Sequence, residues 1–431
     1  MGSKADLTNH HFDVSGKGFK HLTLTRDALK LITSTLPEKV PEIEEIPLSS
    51  ALHRILGEDL ISPVNVPSFD RAAMDGYAVI AEDTYSASPN SPITLKHVGQ
   101  ASVGMRDVKK GEASLVVTGG QMPKGADAVV MSEYANESTD GTVEVSAEVH
   151  PTENVSRIGE DLRKGTLALK RGQRLLPQDI GMLVYLGYDR VKVKRRLKIA
   201  VLSTGNEIHD GPMTTDGKIP DINRPTLLNA IREIGCEPVD LGIAVDEPDV
   251  ISNRLKQALA SADIILVTAG TSVGPRDFVP KVINTLGKPG LLVHGVAMRP
   301  STPTGLGIID GKPIISLPGY PVSAYLAFLE FIPSLIDQMV NTSHLPRPVV
   351  KARLVRRVAG VLGSRTYVRV RVRDEGGNQF AEPVSVSGAG ILSSLVRSNG
   401  FIIIPENVEG YEEGELVEIE LFRPVESDES A

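Results

Sequence analysis

The stretch LKIAVLSTGNE, residues 197–207, begins as a short apolar, β-rich run and ends in a glycine-containing turn. Residues 223–235 follow with apolar side chains at helical spacing, 239–245 form a second strand-like run, and 250–262 form a second helix-like run. Such spacing is the main sequence signal of secondary structure. Strands that alternate with helices predict βαβ units and a parallel sheet covered on both faces.

The alternation continues along the chain. A third strand is predicted at 263–268, two more at 291–298 and 313–317, and a long apolar helix at 322–340. The predicted fold class is therefore a multidomain α/β plus β chain. Its central element is a doubly wound, mostly parallel sheet within residues 195–342.

Glycine- and serine-rich breaks follow three of these strands, at 203–207, 269–277 and 316–321. Ligands of such sheets bind beyond the carboxyl ends of the strands, so the three breaks should converge on one crevice. Backbone N–H groups at helix N-termini there favour an anion such as phosphate. Carboxylates beside a phosphate site usually hold Mg²⁺. The carboxylates expected there are Glu207, Asp246 and Asp277.

Each break taken alone is explained better by ordinary turns and helix caps. Three breaks in one unit favour a binding crevice. The fold by itself names no reaction.

Composition limits the function classes that fit the 431 residues. The net charge of -8, the absence of Trp and the 4% of aromatic residues argue against nucleic-acid binding. Cys236 is the one cysteine, which excludes a disulfide and a cysteine-based zinc site. No apolar run approaches the length of a membrane span, so we expect a cytoplasmic protein without a membrane partner.

Turns and composition shifts divide the rest of the chain. Helices are predicted at 25–36, 49–56 and 175–186, with Thr25 and Asn223 as helix caps. The expected organisation is a flexible leader at 1–20, a discontinuous N-terminal mixed α/β domain at 21–62 and 150–194, an inserted small β domain at 63–149, the α/β domain at 195–342, a C-terminal β domain at 347–424 and a disordered acidic tail at 425–431.

The strongest signal outside the α/β domain is PSFDRAAMDGYAV, residues 67–79, where small residues flank Asp75 and Gly76 permits a tight turn. Arginines recur at period two in residues 353–373, which is typical of the wet face of a strand. One or two of them would suit an oxyanion instead. No phosphate-binding P-loop, zinc-peptidase or esterase nucleophile motif occurs.

Five motifs occur in a recognisable order: AMDGYA at 73–78, TG through ADAVV at 118–130, STGNE at 203–207, GTSVG at 270–274 and SLPGYPVS at 316–323. With them the chain resembles the molybdopterin molybdenumtransferase family, of the MoeA and gephyrin E-domain type. The resemblance covers residues from about 22 to 423.

The resemblance implies an elongated homodimer that inserts molybdate, or tungstate, into adenylylated molybdopterin. The phosphoanhydride is hydrolysed, AMP is released and molybdenum cofactor is formed. The active site would be composite, with the α/β domain of one protomer facing the Asp75-bearing domain of its partner. A molybdopterin adenylyltransferase would act upstream.

The resemblance also implies residue roles. Catalytic roles fall to Asp75, Glu207, Asp246 and Asp277, of which the last three would hold Mg²⁺. Substrate-binding roles fall to Thr118, Asp161, Ser203, Thr204, Gly205, Gly270, Ser272, Gly274, Pro318 and Gly319. Molybdate-binding roles fall to Arg299, Ser316, Arg369, Ser393 and Ser394.

The chain departs from the family at residues 299–303, where Arg-Pro-Ser-Thr-Pro replaces the frequent Lys-Pro-Gly-Lys-Pro. Arg299 keeps the positive charge of the first lysine, whereas Thr302 lacks that of the second. The change leaves open whether the oxyanion is tungstate or is molybdate bound with an altered affinity. Ala269, where glycine is usual, is a milder change. Two alternatives remain: a stand-alone molybdopterin adenylyltransferase, against which the extra β domains argue, and a non-enzymatic dimeric scaffold, against which the carboxylates argue.

Overall fold

The described residues of the chain form two compact units, in a computed structural model. Unit 1 comprises Met1–Ile43 and Lys194–Ala431, and unit 2 comprises Glu44–Val193. The residues that the structure describes are 19, 21–37, 42–101, 107–213, 217–270, 278–384 and 388–427.

Unit 2 is mainly β-structure with one helix, and it follows helix α1 (Thr25–Thr35) of unit 1 along the chain. Its elements are β1 (Ile43–Pro47), β2 (Leu60–Ile61), β3 (Arg71–Ala72), β4 (Gly76–Val79), β5 (Ile93–Gln100), β6 (Glu112–Val116), β7 (Ala128–Met131), β8 (Ala135–Glu137), β9 (Thr142–Val145), β10 (Val155–Ser156), β11 (Leu167–Leu169), α2 (Pro177–Tyr185) and β12 (Arg190–Lys194).

The remainder of unit 1 alternates strands and helices and then becomes β-rich. Its elements are β13 (Lys198–Thr204), β14 (Ile208–His209), β15 (Ile219–Pro220), α3 (Asn223–Glu233), β16 (Glu237–Ala244), α4 (Pro248–Ser261), β17 (Ile264–Thr268), α5 (Val279–Leu286), β18 (Pro289–His294), β19 (Met298–Arg299), β20 (Gly305–Ile309), β21 (Lys312–Leu317), α6 (Pro321–Val340), β22 (Val349–Leu354), β23 (Val358–Ala359), β24 (Arg365–Glu375), β25 (Asn378–Pro383), α7 (Ser393–Val396), β26 (Gly400–Ile404), β27 (Gly410–Tyr411), β28 (Leu416–Leu421) and β29 (Glu426–Ser427).

The principal sheet of unit 1 has the strand order β16-β13-β17-β21-β20-β18. The first four strands are mutually parallel, and β20 pairs antiparallel with both of its neighbours, β21 and β18. Successive residues of β13 face opposite ways, as strand geometry requires. Ile199 and Val201 pack in the core that contains α3 and α6, whereas Ala200 and Leu202 pack in the core that contains α4 and α5. Helices therefore cover both faces of the sheet.

The antiparallel end of this sheet differs from the sequence prediction. The strand predicted at 291–298 ends at His294 and pairs antiparallel with β20, a strand that was not predicted. Strands β20 and β21 form a hairpin in which Ile309 pairs with Lys312. The two turn residues, Asp310 and Gly311, have φ values of 50° and 77°. Asp-Gly between apolar runs is a strong hairpin signal, and here it replaces the expected βαβ connection.

Two predicted local structures at the N-terminal end of the chain are wrong. The helix predicted at 49–56 is only a 3₁₀ turn at Leu48–Ser50, because the backbone beyond it pairs with the segment around Leu175. Thr25 is not a cap: its hydroxyl donates to Glu406 Oε1 at 3.3 Å. Helix α1 packs through Ala28 in the core of unit 1.

Two further predicted features also differ. Asn223 does not cap α3, since its side chain donates to the Gly319 carbonyl oxygen. The acidic tail expected at 425–431 begins with an ordered strand, β29, which pairs with β24. Glu426 of this strand accepts a hydrogen bond from Arg371 Nε at 2.6 Å. This ion pair, which the sequence alone does not reveal, holds the strand in place. Residues 428–431 of the expected tail lie outside the described ranges.

A second sheet in unit 1 follows the order β19-β24-β25-β22-β28-β26, with β29 beside β24. In unit 2 the main sheet has the order β7-β4-β6-β5-β9-β8 around its own apolar core. Among the described residues, no helix combines the length and the apolar character that a membrane crossing requires.

Candidate functional site

The carboxyl ends of β13, β16 and β17 are joined by hydrogen bonds. Gly205 N donates to Ala244 O at 3.1 Å, which holds the first glycine turn against the end of β16. Thr204 Oγ1 donates to Thr268 O at 3.2 Å, and Thr268 Oγ1 donates to Ser203 Oγ at 3.0 Å. These hydroxyls are buried, so they fix the edge from which the loops leave rather than line an open cleft.

The loops after β17 and β21 meet at the same edge. Ala269 N donates to Leu317 O at 3.1 Å, and a Cβ on Gly319 would lie 3.3 Å from the Ala269 Cβ. Asn223 Nδ2, at the start of α3, donates to Gly319 O at 2.7 Å. The structure thus brings together the breaks at 203–207 and 316–321 and the first residues of the break at 269–277.

Ala269 has a φ of 69°, a left-handed conformation that favours glycine. The family's usual glycine is therefore explained by this backbone, and Ala269 holds it with some strain. Gly270 follows at φ 62°, and a Cβ there would lie 3.1 Å from Thr204 Oγ1. Ser272, Gly274 and Asp277 lie outside the described residues.

Glu207 is exposed at this edge, and its carboxylate lies over the Cα of Gly205. A Cβ on Gly205 would lie 2.9 Å from Glu207 Oε1 and 3.0 Å from Oε2. The glycine therefore leaves the room that the carboxylate occupies. Asn206, between them, accepts a hydrogen bond from Asp246 N at 3.2 Å through Oδ1. The sequence analysis gave no site role to Asn206 or Asn223, although the position of Asn206 within a glycine-containing break is a usable signal.

The donor chemistry of this edge suits Mg²⁺. Carboxylate oxygens are its preferred protein ligands, and one or two of them with substrate phosphates suffice. Glu207 and Asp246 provide two such groups on loops that Asn206 connects. Among the described residues no three His, Cys, Asp or Glu side chains form a ready cluster. The residue types therefore suit a metal whose remaining ligands would come with the substrate.

The expected molybdate residues occupy contrasting environments. Ser316 is fully buried, and its Oγ faces Gly305, on which a Cβ would lie 2.4 Å from that oxygen. This hydroxyl has no hydrogen-bond partner among the described residues. Arg299 is exposed. Thr302 Oγ1 donates to Met298 O at 3.0 Å, and this hydrogen bond closes the loop from Met298 to Thr302.

Arg369 is 8% exposed, and burial lowers the pKa of its guanidinium. Ser394 is buried, with its Oγ donating to Ile391 O at 2.6 Å, whereas Ser393 is exposed at the start of α7. The segment before α7 reaches the N-terminus of α6, where Val322 N donates to Ala389 O at 3.1 Å. The loop that carries Pro318 and Gly319 is thereby linked to the segment before the two serines.

Asp75 lies in unit 2, at the end of an exposed loop before β4. Its Oδ1 accepts two hydrogen bonds from Thr118, from the backbone N at 2.6 Å and from Oγ1 at 2.9 Å. These two bonds hold the pKa of the Asp75 carboxyl below its ordinary value of 3.8. An exposed carboxylate that is ionised and oriented in this way can accept hydrogen bonds but does not carry a proton at neutral pH.

Glycine is required beside Asp75. A Cβ on Gly76 would lie 2.0 Å from Val130 O on the neighbouring strand, because β4 runs between β6 and β7. Asp161 lies in another loop of unit 2, where its N donates to Val66 O at 3.0 Å. Its side chain is exposed.

Comparisons with known proteins agree with this architecture. The model of the MoeA N-terminal region (domain I and II) matches residues 24–187, that of the probable molybdopterin binding domain matches 200–337, and that of the MoeA C-terminal region (domain IV) matches 351–422. The class is therefore that of MoeA-type multidomain proteins of molybdenum cofactor biosynthesis.

The chain belongs to the molybdopterin molybdenumtransferase family of enzymes. It is 39% identical to a Methanocaldococcus jannaschii protein named for molybdopterin biosynthesis, with 94% of this chain and 100% of the relative covered. The molybdopterin molybdenumtransferase of Haemophilus influenzae is 32% identical, with coverages of 90% and 97%. A molybdopterin biosynthesis MoeA protein from Pyrococcus horikoshii OT3 has a similar structure, with a TM-score of 0.81, 34% identity and coverages of 93% and 100%.

Proposed function

We propose that the protein inserts molybdate into adenylylated molybdopterin, with hydrolysis of the phosphoanhydride and release of AMP. The observation that carries this proposal is the meeting of glycine-containing loops at one edge of the sheet, with the Glu207 carboxylate over Gly205. Backbone N–H groups and helix N-termini at such an edge suit phosphate groups. Membership of the molybdopterin molybdenumtransferase family supports the class of reaction, and the geometry of this edge supports the choice of residues.

In this proposal Glu207 and Asp246 stand beside the phosphoanhydride. Water adds to a phosphorus atom, the P–O–P bond breaks, and the bridging oxygen leaves as part of one of the two phosphates. Mg²⁺ held by Glu207 and Asp246, with Asp277 as a further ligand, would neutralise charge on the phosphates. The carboxylates orient the water, as hydrolysis requires an aligned nucleophile.

The molybdate pocket is proposed at the junction of the loop after β21 and the segment before α7. Arg369 and Arg299 supply positive charge, and Ser316, Ser393 and Ser394 supply hydroxyls. A buried guanidinium such as that of Arg369 stays protonated and attracts a dianion strongly where water is excluded. Because Thr302 binds the Met298 carbonyl oxygen, it offers no replacement for a second lysine charge.

Asp75, Thr118 and Asp161 belong, in this proposal, to the contribution of a second protomer in a homodimer. Their exposure in unit 2 supports it, because an oriented, ionised carboxylate at the surface is ready to accept hydrogen bonds from a ligand held elsewhere. A molybdopterin adenylyltransferase would supply the substrate. We place the reaction in the cytoplasm, where the buried Cys236, which forms no disulfide, is stable as a thiol.

The test is AMP release from adenylylated molybdopterin by the purified chain, with molybdate, with tungstate and with neither. We expect release that depends on the oxyanion, and its loss in Glu207→Ala. The matched control is Glu237→Ala, an exposed glutamate at the opposite end of the same sheet, which should release AMP normally. Full activity in Glu207→Ala, or equal loss in the control, contradicts the assignment. Comparison of the two oxyanions identifies the preferred one.

A further inference from the structure

A cavity of about 790 Å³ lies in the C-terminal β-region of unit 1, and none of the residues assigned to the proposed reaction lines it. Four arginines from different elements line this arginine cavity: Arg356, Arg371, Arg397 and Arg423. They lie after β22, in β24, after α7 and after β28, so the fold gathers them from across the domain. Arginines at every second residue of one strand indicate a solvent-exposed strand face. Of the four arginines, only Arg371 lies within a strand in this way.

The four arginines of the arginine cavity outnumber the two glutamates that line it with them, Glu382 and Glu426, so the lining keeps a net positive charge. Glu426 is paired with Arg371, and Glu382 is paired with Arg373 outside the lining. Within the described ranges, Arg356, Arg397 and Arg423 form no ion pair with a carboxylate. Like charges on one concave surface repel each other, and an anion with two or more charges removes that cost.

Two of these guanidinium groups are held in place by backbone carbonyls that belong to the same lining. Arg423 Nη1 donates to Val396 O at 2.7 Å, and Arg356 donates to Pro383 O. The planar fork of each keeps further N–H groups for a ligand, and such forks match the oxygens of a phosphate. The arginines are therefore positioned before any ligand arrives.

The rest of the lining indicates what the anion is attached to. Apolar side chains stand between the arginines: Pro383, Val384, Val396, Pro424 and Val425. The volume is within the range of sites for small organic molecules, which combine an apolar wall with a few placed polar groups. An inorganic oxyanion would leave this apolar wall without a partner.

We infer that the arginine cavity is a second binding site, for a small organic phosphate with an apolar or aromatic body. The phosphate contacts the forks of Arg356, Arg397 and Arg423, and the body packs on the valines and prolines. This site is separate from the proposed catalytic crevice, and it does not depend on the insertion reaction.

Titration calorimetry of the full chain with phenyl phosphate, inorganic phosphate and phenol tests the inference. We expect phenyl phosphate to bind more tightly than inorganic phosphate, binding to weaken with added salt, and phenol not to bind. The variant Arg397→Gln/Arg423→Gln should bind phenyl phosphate about tenfold or more weakly, because it loses two charged hydrogen-bonding partners.

The matched control is Arg353→Gln, an exposed arginine of β22 outside the lining, which should bind as the unchanged chain does. Arg397→Glu is a second variant that should keep the fold, because the Arg397 side chain makes no hydrogen bond within the described residues. It should bind phenyl phosphate more weakly than the double glutamine variant does. Undetectable phenyl phosphate binding, equal binding in the variants, or equal affinity for inorganic phosphate overturns the inference. Because binding is measured without turnover, failure here is distinct from failure of the insertase proposal.

Discussion

The loop of Asp75 in unit 2 and the crevice edge of Glu207 in unit 1 both place an exposed carboxylate beside a glycine, but the two glycines do different things. Gly76 packs against backbone, since a Cβ there would lie 2.0 Å from Val130 O. Gly205 packs against the candidate catalytic side chain, since a Cβ there would lie 2.9 Å from Glu207 Oε1.

The difference separates a structural requirement from a functional one. At Gly76 the neighbouring strand cannot move without breaking the sheet of unit 2, so the glycine protects the fold. At Gly205 the neighbour is the end of a flexible side chain, so the fold can adjust while the carboxylate moves. Within the described ranges, Thr118 provides both hydrogen bonds to the Asp75 carboxylate, whereas the Glu207 carboxylate depends on the shape of its own turn.

The largest expected effect is that of Gly76→Ala. The added Cβ meets a backbone oxygen, and we expect a loss of roughly 3 kcal/mol or more of unfolding free energy. Chemical denaturation measures it. The control is Gly141→Ala, which has a φ of 84° in the same unit but nothing within 4 Å of its Cβ position. It should lose only about 1 kcal/mol, the cost of the backbone conformation. Equal losses in the two variants would show that the contact with Val130 is unimportant.

Gly205→Ala is expected to lower activity far more than stability. Displacement of the Glu207 carboxylate should reduce the rate of AMP release by about tenfold or more, because a small misplacement of a positioned group is costly. The loss of unfolding free energy should stay near 1 kcal/mol, from the φ of 147°. The control, Gly235→Ala, has a φ of 80° with open space around it and should keep full activity. Wild-type turnover in Gly205→Ala would remove Glu207 from the mechanism.

The smallest effect is predicted for Thr118→Val, which removes one of the two hydrogen bonds to Asp75 and keeps the backbone one. The pKa of Asp75 should rise part of the way towards 3.8. Because the folded pKa is depressed, Asp75 stabilises the fold above pH 3.8, and this contribution disappears as the pH falls through the folded value. The stability difference between wild type and variant should therefore shrink at acidic pH, as denaturation at several pH values would show.

An internal control for that prediction exists in the same unit. Asp140 accepts hydrogen bonds from Thr142 N at 3.1 Å and Oγ1 at 2.6 Å, which likewise lower the pKa of its carboxyl. Thr142→Val should change stability with the same pH dependence but leave AMP release unchanged. If Thr142→Val impaired AMP release, the special role of Asp75 would fail.

The sequence predicts the α/β region well because its signals are local. Periods of two and 3.6 identify the parallel strands and the main helices, and glycine breaks mark the edge where the loops meet. The hairpin at Asp310-Gly311 departs from the expected βαβ pattern, because a two-residue turn reverses the chain between two apolar runs. Thr25 and Asn223 have the composition of caps, but distant partners, Glu406 and Gly319, take their side chains instead.

The candidate sites were less accessible to sequence reasoning because they depend on long-range contacts. The gathering of Arg356, Arg397 and Arg423 around one cavity has no periodic signature. The burial of Ser316 within its strand is equally invisible in the sequence, since a serine near a glycine loop is ordinarily exposed. Gly76 was expected to permit a tight turn, but it is the first residue of strand β4, and its close approach to Val130 is a property of the sheet.

The most direct test of a composite site combines two inactive variants, Asp75→Ala and Glu207→Ala, unfolded together and refolded as a mixture. In a mixed symmetric dimer one site then carries both changes and the other carries neither, so AMP release should return to about a quarter of the wild-type rate. Each variant refolded alone should stay inactive. A mixture as inactive as its components, although mixed dimers are present, would contradict the claim that Asp75 of one protomer acts with Glu207 of its partner.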